Sequence, residues 1–119
     1  MRERVSKVLR NLSRQKAFYF FTSIGNYTGE SAASLKEFMD KINEVDAKSL
    51  MFHFHRGDFE KWIAEVLEDR ELAEEVGKMR KIDVLGGLLR NRLYEVVSKR
   101  YQELTSWRRF TVENTSINE

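Results

Sequence analysis

The chain has 119 residues and a mass of 14.1 kDa, which suffices for one domain but not two, so we expect a single domain over residues 1–119. Hydrophobic residues make up 41% and charged residues 34% of the sequence, a composition that can bury a core and excludes a disordered chain. The absence of Cys excludes disulfides, thiolate metal sites and cysteine nucleophiles, and the absence of Pro removes the commonest helix stop.

The first segment predicts a basic amphipathic helix over residues 1–16. Its apolar residues recur with the spacing of one helix face, at Val5, Val8, Leu9 and Leu12. The apolar run that follows, at residues 17–21, is too short for a signal peptide or a membrane span. We therefore expect a cytoplasmic protein that does not enter a membrane.

An aromatic run follows and predicts one short strand near residues 18–22. The sequence AFYFFTSI combines aromatic residues with Thr and Ile, and Gly25-Asn26 bounds it. One strand cannot form a sheet, so it needs a partner. The candidates are residues 107–112, with the sequence WRRFTV, or another copy of the chain.

Cap residues divide the middle of the chain into helices. Ser34 and Glu37 form a capping box, which opens the first of these helices. A second short helix is predicted from Ser49 to His55. Gly57 then suits the left-handed position that ends a helix, and Asp58 suits the cap of the next one.

The longest predicted helix covers residues 83–104, with Asp83 as its cap, and residues 113–119 predict a frayed tail. Gly86 and Gly87 indicate a close helix crossing, or else a kink, because neither a strand nor a Lys-Ser/Thr pair accompanies them as a phosphate loop requires. Together the elements predict a mainly α fold. We expect a compact bundle of five or six helices with one short aromatic strand.

The net charge of +2 hides a strong segregation of charge. Residues 1–16 carry a net charge of +5, residues 17–77 carry −7, residues 78–100 carry +5 and residues 101–119 carry −1. Basic helices that pair with the acidic centre, within the monomer or between two copies, would explain this pattern. Mixed surface charge is also typical of proteins from a hot environment, such as a thermophilic archaeon.

The same basic segments are candidates for contacts with nucleic acid. The N-terminal helix holds six cations, Arg2, Arg4, Lys7, Arg10, Arg14 and Lys16, of which Arg4, Lys7, Arg10 and Arg14 are the candidate contacts, and the last helix offers Arg90, Arg92, Lys99 and Arg100. No helix-turn-helix, RNA-recognition or zinc-finger pattern accompanies them. The positive charge of these segments is therefore the one sequence feature that favours nucleic-acid binding.

The residues with the richest chemistry surround the predicted turn after the second helix. We expect a polar cluster of His53, Arg56 and Asp58, with Trp62 on the following helix. His53 and His55 point about 200° apart on a helix and cannot share a metal ion, so we expect no metal and no cofactor. The cluster is interpreted either as structural or as a ligand-binding or pH-sensing site. The acidic pair Glu68-Asp69 is interpreted as solvated surface.

Several short motifs share one order along residues 18–76. They are Phe18-Tyr-Phe20 with Thr22 and Gly25, Thr28-Gly29 before Ala33-x-Leu35-x-Glu37, Ser49 with His53, Asp58-Phe59-x-x-Trp62, and Leu67-x-Asp69-x-x-Leu72-Ala73-Glu74. In this order they resemble a family of uncharacterised archaeal and bacterial domains of unknown function. The resemblance implies no reaction, cofactor or substrate. It singles out His53, Asp58 and Trp62 as the positions to test first.

Three functions are therefore open at this level. The first is a non-enzymatic interaction or regulatory module that associates with itself, since the bipolar charge is self-complementary across a two-fold axis. The second is a nucleic-acid-binding protein that uses the basic terminal helices. The third is a ligand-binding or enzymatic domain centred on His53 and Asp58, with no catalytic residue assigned.

Overall fold

The computed structural model describes residues 2–82 and 87–117, with side chains placed for residues 4–82 and 87–108. Within these ranges the chain forms six α-helices and one two-stranded antiparallel sheet, which confirms the mainly α prediction. The elements are α1 (Arg2–Val8), β1 (Phe18–Ser23), β2 (Asn26–Ala32), α2 (Leu35–Glu44), α3 (Ala47–Arg56), α4 (Asp58–Trp62), a π-helical turn (Ile63–Leu67), α5 (Arg70–Ile82) and α6 (Gly87–Ile117).

The N-terminal helix is shorter than the predicted helix over residues 1–16. α1 ends at Val8, and the chain then turns away so that the backbone N–H of Leu12 donates to the carbonyl of Ala33 at 2.7 Å. Leu9 and Leu12 still pack against the core, although they do so from irregular chain. Apolar spacing alone could not separate these two arrangements, because both place the same residues inward.

The aromatic strand is confirmed as β1, but its partner differs from both candidates. β1 pairs with β2, with Phe18 opposite Ala32 and Phe21 opposite Tyr27. The segment 107–112 lies within α6 and forms no strand. β2 carries Gly29 at a φ of +88° in a bulge opposite β1. β2 was not predicted because it consists mostly of a glycine, a glutamate and small polar residues, which do not form a strand-like pattern.

The two faces of β1 differ in environment. Phe18 and Phe20 point inward and are buried, whereas Tyr19 between them is exposed. The inner rings join an aromatic core with α2 and α4, in which the ring of Phe38 lies 6.1 Å from that of Phe20 and 5.3 Å from that of Phe59. The hairpin is therefore fastened to the helices through every second residue of one strand.

Local cap chemistry opens α2 as predicted, whereas α3 begins two residues before the predicted Ser49 because Asp46 caps it. The Ser34 hydroxyl accepts from the N–H of Glu37 at 3.1 Å, and the Glu37 carboxylate reaches back to the N–H of Ala33 at 2.8 Å. α3 ends at Gly57, whose φ of +77° is the left-handed conformation that glycine adopts without strain. Gly57 also precedes α4 directly, so the two helices meet at one residue.

Of the two glycines Gly77 and Gly87, only Gly77 has a neighbouring side chain in the place of its missing Cβ. A Cβ added at Gly77 of α5 would lie 2.6 Å from a carboxylate oxygen of Glu60 on α4. Gly87 has open space on its Cβ side, while Gly86 and the predicted cap Asp83 lie outside the described residues. Gly77 of α5 therefore makes room for the Glu60 side chain of α4, and the crossing at Gly86-Gly87 stays a prediction.

The last helix extends further than predicted. α6 continues through Ile117, so residues 113–117 are helical rather than a frayed tail, and residues 118–119 lie outside the described chain. The physical reason is visible in the sequence, since neither Gly nor Pro occurs after residue 87 to stop the helix.

Candidate functional site

His53 joins the hairpin to α3 and α4. Its Nε2 accepts the backbone N–H of Phe21 at 2.8 Å, and its Nδ1 lies 2.8 Å from Oδ2 of Asp58. Because Nε2 acts as an acceptor, the proton of the neutral ring is on Nδ1, which donates to Asp58. Gly57 permits this contact, since its left-handed turn brings the first residue of α4 back over the last turn of α3.

Arg56 completes a group that we call the histidine cluster, formed by His53, Arg56 and Asp58. The Nε of Arg56 donates to the same Oδ2 of Asp58 at 3.1 Å, and its guanidinium carbon lies 4.9 Å from the ring centroid of Phe52. Within the described part of the chain, the Nη groups of Arg56 and Oδ1 of Asp58 take part in no hydrogen bond. The cluster thus keeps unused donors and an unused acceptor.

Burial and charge act in opposite directions on His53. Burial lowers the pKa of its imidazole below the ordinary value, while the hydrogen bond and negative charge of Asp58 raise it by less. The ring is therefore neutral at neutral pH. The positive charge of Arg56 and the negative charge of Asp58 then cancel, so the histidine cluster carries no net charge.

A cavity of about 310 Å³ opens between the hairpin and α3, and we call it the cleft. The histidine cluster supplies its polar side. The apolar side is formed mainly by aromatic rings from β1 and α3, with an isoleucine at the hairpin tip, namely Phe18, Tyr19, Phe21, Phe52 and Ile24. The cleft therefore combines a polar group of fixed geometry with aromatic walls, as ligand pockets do.

Trp62, the fourth residue of the predicted polar cluster, lies elsewhere. Its indole N–H donates to the carbonyl of Lys16 at 2.9 Å, and its ring centroid lies 5.5 Å from that of Phe18 and 5.2 Å from that of Phe38. Trp62 is thus a core residue that holds the chain before β1, and it does not line the cleft.

The predicted nucleic-acid contacts do not form one free basic surface. Lys7 lies 3.0 Å from a carboxylate oxygen of Glu68, and Arg10 donates to the carbonyl of Val66 at 2.8 Å. Three of the four side chains are exposed, Arg4, Lys7 and Arg14, and Arg10 is half-buried. On α6, Arg90 donates to the carbonyl of Ile42 at 3.0 Å. Much of this charge therefore serves contacts within the chain.

The pair Glu68-Asp69, interpreted above as solvated, is split between solvent and interior. Glu68 is exposed, but Asp69 is 3% exposed and accepts from Arg100 through Nε at 2.8 Å and Nη2 at 3.1 Å. Asp69 also accepts the N–H of Leu72 at 3.2 Å, and Nη1 of Arg100 contacts Glu71. We call Asp69, Arg100 and Glu71 the arginine clamp. Burial lowers the pKa of Arg100, but Asp69 together with Glu71 and Glu103 raises it by more.

The sequence pattern could have identified part of the cleft. Tyr19 and Phe21 alternate with the buried Phe18 and Phe20, so a strand assignment places them together on the outer face of β1. Their neighbour Phe52, from α3, has no such signal because its contact depends on how α3 packs against the hairpin. Buried Asp69 likewise has no local signal.

No group of three or more His, Asp or Glu residues that could hold a metal ion occurs within residues 4–82 and 87–108, whose side chains the structure describes. Among the helices described, none is both long and apolar enough to cross a bilayer. Comparison with the curated proteins found no match, and comparison with the solved structures found none either. The model of the family of unknown function DUF5752 matches residues 13–115, and the chain therefore belongs to this family.

Proposed function

We propose that this protein is a non-enzymatic binding module whose site is the cleft between the hairpin and α3. The observation that carries the proposal is the histidine cluster, which stands beside aromatic walls with unused hydrogen-bonding atoms on Arg56 and Asp58. A polar group that served only to fix the angle between α3 and α4 would have no need of an adjoining cavity.

The arrangement of His53 favours binding over catalysis. A histidine that activates a nucleophile needs a free ring nitrogen to accept the proton. Here Nε2 accepts from Phe21, and Nδ1 donates to Asp58. Ser23 lines the cleft, but its hydroxyl contacts Asn26. His53 therefore acts as a positioning residue for Asp58 rather than as a base.

A fragment screen by two-dimensional NMR tests this proposal. Small aromatic fragments are expected to shift the backbone amides of Phe21, Ile24 and Phe52, because these residues line the cleft. Phe52→Ala removes one wall and should abolish the shifts. Leu88→Ala is the matched control, since Leu88 is an exposed apolar residue that does not line the cleft. Absence of any fragment that shifts these amides, or equal shifts in Phe52→Ala, would contradict the proposal.

A second candidate, self-association, is favoured by exposed apolar residues at the neighbouring ends of α5 and α6. Ile82 is 73% exposed and Leu88 is 66% exposed. The outer edge of β2 is a poorer contact, because the bulge at Gly29 and the ion pair of Glu30 with Lys41 at 2.7 Å oppose strand pairing. Nucleic-acid binding has less support, since Lys7 and Arg10 are engaged within the chain.

Light scattering on a sizing column tests self-association. We expect a mass above that of the monomer at micromolar concentrations, and a monomer when Ile82→Lys and Leu88→Lys are combined. Ile24→Lys is the control, because Ile24 is a similarly exposed isoleucine, at 84%, on the hairpin tip. A monomeric native chain at every concentration would remove this candidate.

A further inference from the structure

Arg56 and Asp58 both line the cleft, and the described residues leave the Nη groups of Arg56 and Oδ1 of Asp58 without a hydrogen-bond partner. We infer that the cleft takes a neutral, planar heterocycle that carries a carbonyl oxygen next to a ring N–H, the edge shared by guanine and uracil. This inference rests on the proposed binding function and adds the chemical class of the ligand. Three features of the cleft support it: the shape of its walls, its charge and the arrangement of its polar atoms.

The walls favour a flat ring. Phe21 and Phe52 are half-buried and line the cleft from the hairpin and from α3, so each keeps ring surface for contact with a ligand. Aromatic faces bind the faces of heterocycles by stacking, as proteins that hold single-stranded bases show. A volume of about 310 Å³ is at the lower end for small-molecule pockets, which suits a single base better than a long chain.

The charge of the site favours a neutral ligand. Arg56 and Asp58 cancel because they share one ion pair, with Nε 3.1 Å from Oδ2. His53 is held neutral by burial. An anion at Arg56 would lie close to the carboxylate of Asp58, and a cation at Asp58 would lie close to the guanidinium of Arg56. A ligand with both a donor and an acceptor avoids either repulsion.

The free polar atoms of Arg56 and Asp58 favour a ligand edge that carries an acceptor next to a donor. Arg56 is held by Asp58 and by the ring of Phe52, 4.9 Å from its guanidinium carbon, which orders the side chain and leaves both Nη groups to donate. Oδ2 of Asp58 is occupied by two donors, so Oδ1 is the oxygen left to accept. A carbonyl that accepts from Arg56, beside an N–H that donates to Asp58, satisfies both groups.

Calorimetry with guanosine and uridine tests the inference, and 1-methylguanosine and 3-methyluridine serve as matched ligands that lack the ring N–H. We expect the methylated nucleosides to bind about 10-fold more weakly, because Oδ1 of Asp58 is then left without its donor. Asp58→Asn should reduce this preference to less than about 2-fold. His55→Ala, a change at an exposed neighbour, should leave the preference intact.

A second arm distinguishes a free base from a base within a strand. Short single-stranded oligouridine and its abasic counterpart are titrated beside uridine. Equal affinity of uridine and the oligomer assigns the site to free bases or nucleosides, whereas much tighter binding of the oligomer, lost in the abasic strand, assigns it to a strand. Either result retains the base as the ligand, and a strand that binds equally without bases overturns it.

The outcomes also separate this inference from the proposed function. Aromatic fragments that occupy the cleft, together with no binding of any nucleoside or oligomer, would overturn the base as ligand while the binding module stands. Equal binding of methylated and unmethylated nucleosides would overturn it too. Failure of both fragments and nucleosides would contradict the proposed function itself.

Discussion

The histidine cluster and the arginine clamp use the same chemistry for different ends. In each, an aspartate accepts from an arginine and from one further group. In the clamp, Asp69 is 3% exposed and Arg100 uses all three of its guanidinium nitrogens on Asp69 and Glu71. In the cluster, Asp58 and Arg56 are partly exposed, and each keeps atoms that bond to no described residue.

The two groups differ in how many of their hydrogen-bonding atoms have partners within the described chain. A buried charge must have every bond satisfied within the chain, because desolvation is otherwise uncompensated. The clamp meets this demand and joins the start of α5 to α6. The cluster leaves capacity at its surface, which only a solvent or ligand atom can use. An ion pair whose hydrogen-bonding atoms all have partners within the chain supports the fold, whereas one with atoms left over can also bind a ligand.

The same substitution in both groups should give the largest contrast. Asp69→Asn removes the buried counter-charge of Arg100, which then keeps only the exposed Glu71, and should lower the free energy of unfolding by about 3–5 kcal/mol. Asp58→Asn retains an amide oxygen for the His53 N–H and faces a half-exposed arginine, so we expect a loss of at most about 1 kcal/mol. Urea unfolding measures both. Equal losses would show that the two groups do not differ in structural role.

Removal of the histidine tests how far the open cluster also supports the fold. His53→Ala leaves the N–H of Phe21 without an acceptor and leaves the carboxylate of Asp58 with Arg56 alone, and should cost about 2–4 kcal/mol in unfolding free energy. His55→Ala is the matched control because the same residue type is exposed two positions later. A similar midpoint for the two variants would contradict the role of His53 in holding the hairpin.

Acid should weaken the histidine cluster. The folded-state pKa of His53 lies below the ordinary value of 6.5, so the unfolded chain binds the proton first and stability falls as pH drops through 6.5. Protonation also removes the acceptor for Phe21, although Asp58 favours the charged ring and Arg56 opposes it. The stability difference between the native chain and His53→Gln should therefore shrink from pH 7.5 to pH 5. A constant difference would refute this.

Two buried serines differ in whether the hydroxyl has a hydrogen-bond partner, and they give the comparison with the smallest expected effects. Ser49 is 0% exposed and its hydroxyl finds no hydrogen-bond partner among the described residues, whereas Ser34 is 6% exposed and caps α2. Ser49→Ala should stabilise the chain by about 1 kcal/mol by removing a desolvated hydroxyl. Ser34→Ala should destabilise it by about 1 kcal/mol. Thermal unfolding measures both, and a loss in Ser49→Ala would indicate an ordered water at this site.

The sequence predicted those features whose cause is local. The capping box at Ser34, the left-handed end at Gly57 and the aromatic strand β1 each depend on residues close together in the chain. The contact of His53 with Asp58 belongs to this group, because one glycine turn brings the two side chains together. Residues close together in the sequence are therefore sufficient to predict the polar half of the cleft.

Features that depend on distant contacts were not predictable in this way. β2 has a weak strand pattern and forms because β1 lies beside it, and α1 ends early because Leu12 bonds to the backbone of Ala33. The inward turn of Asp69 is matched by Arg100, 31 positions further along the chain. The aromatic half of the cleft likewise requires α3 to pack on β1, which no single segment encodes.

The π-helical turn at Ile63–Leu67 makes the fold sensitive to the number of residues in this segment. Its wider turn closes at Glu68, whose φ of +63° is left-handed, and Asp69 then caps α5 and meets Arg100. Each helical residue rotates the chain by about 100°. Replacement of the exposed Glu65 leaves that rotation unchanged, whereas deletion of one residue would turn Asp69 and everything after it to another direction. This segment tolerates a change of side chain more readily than a change of length.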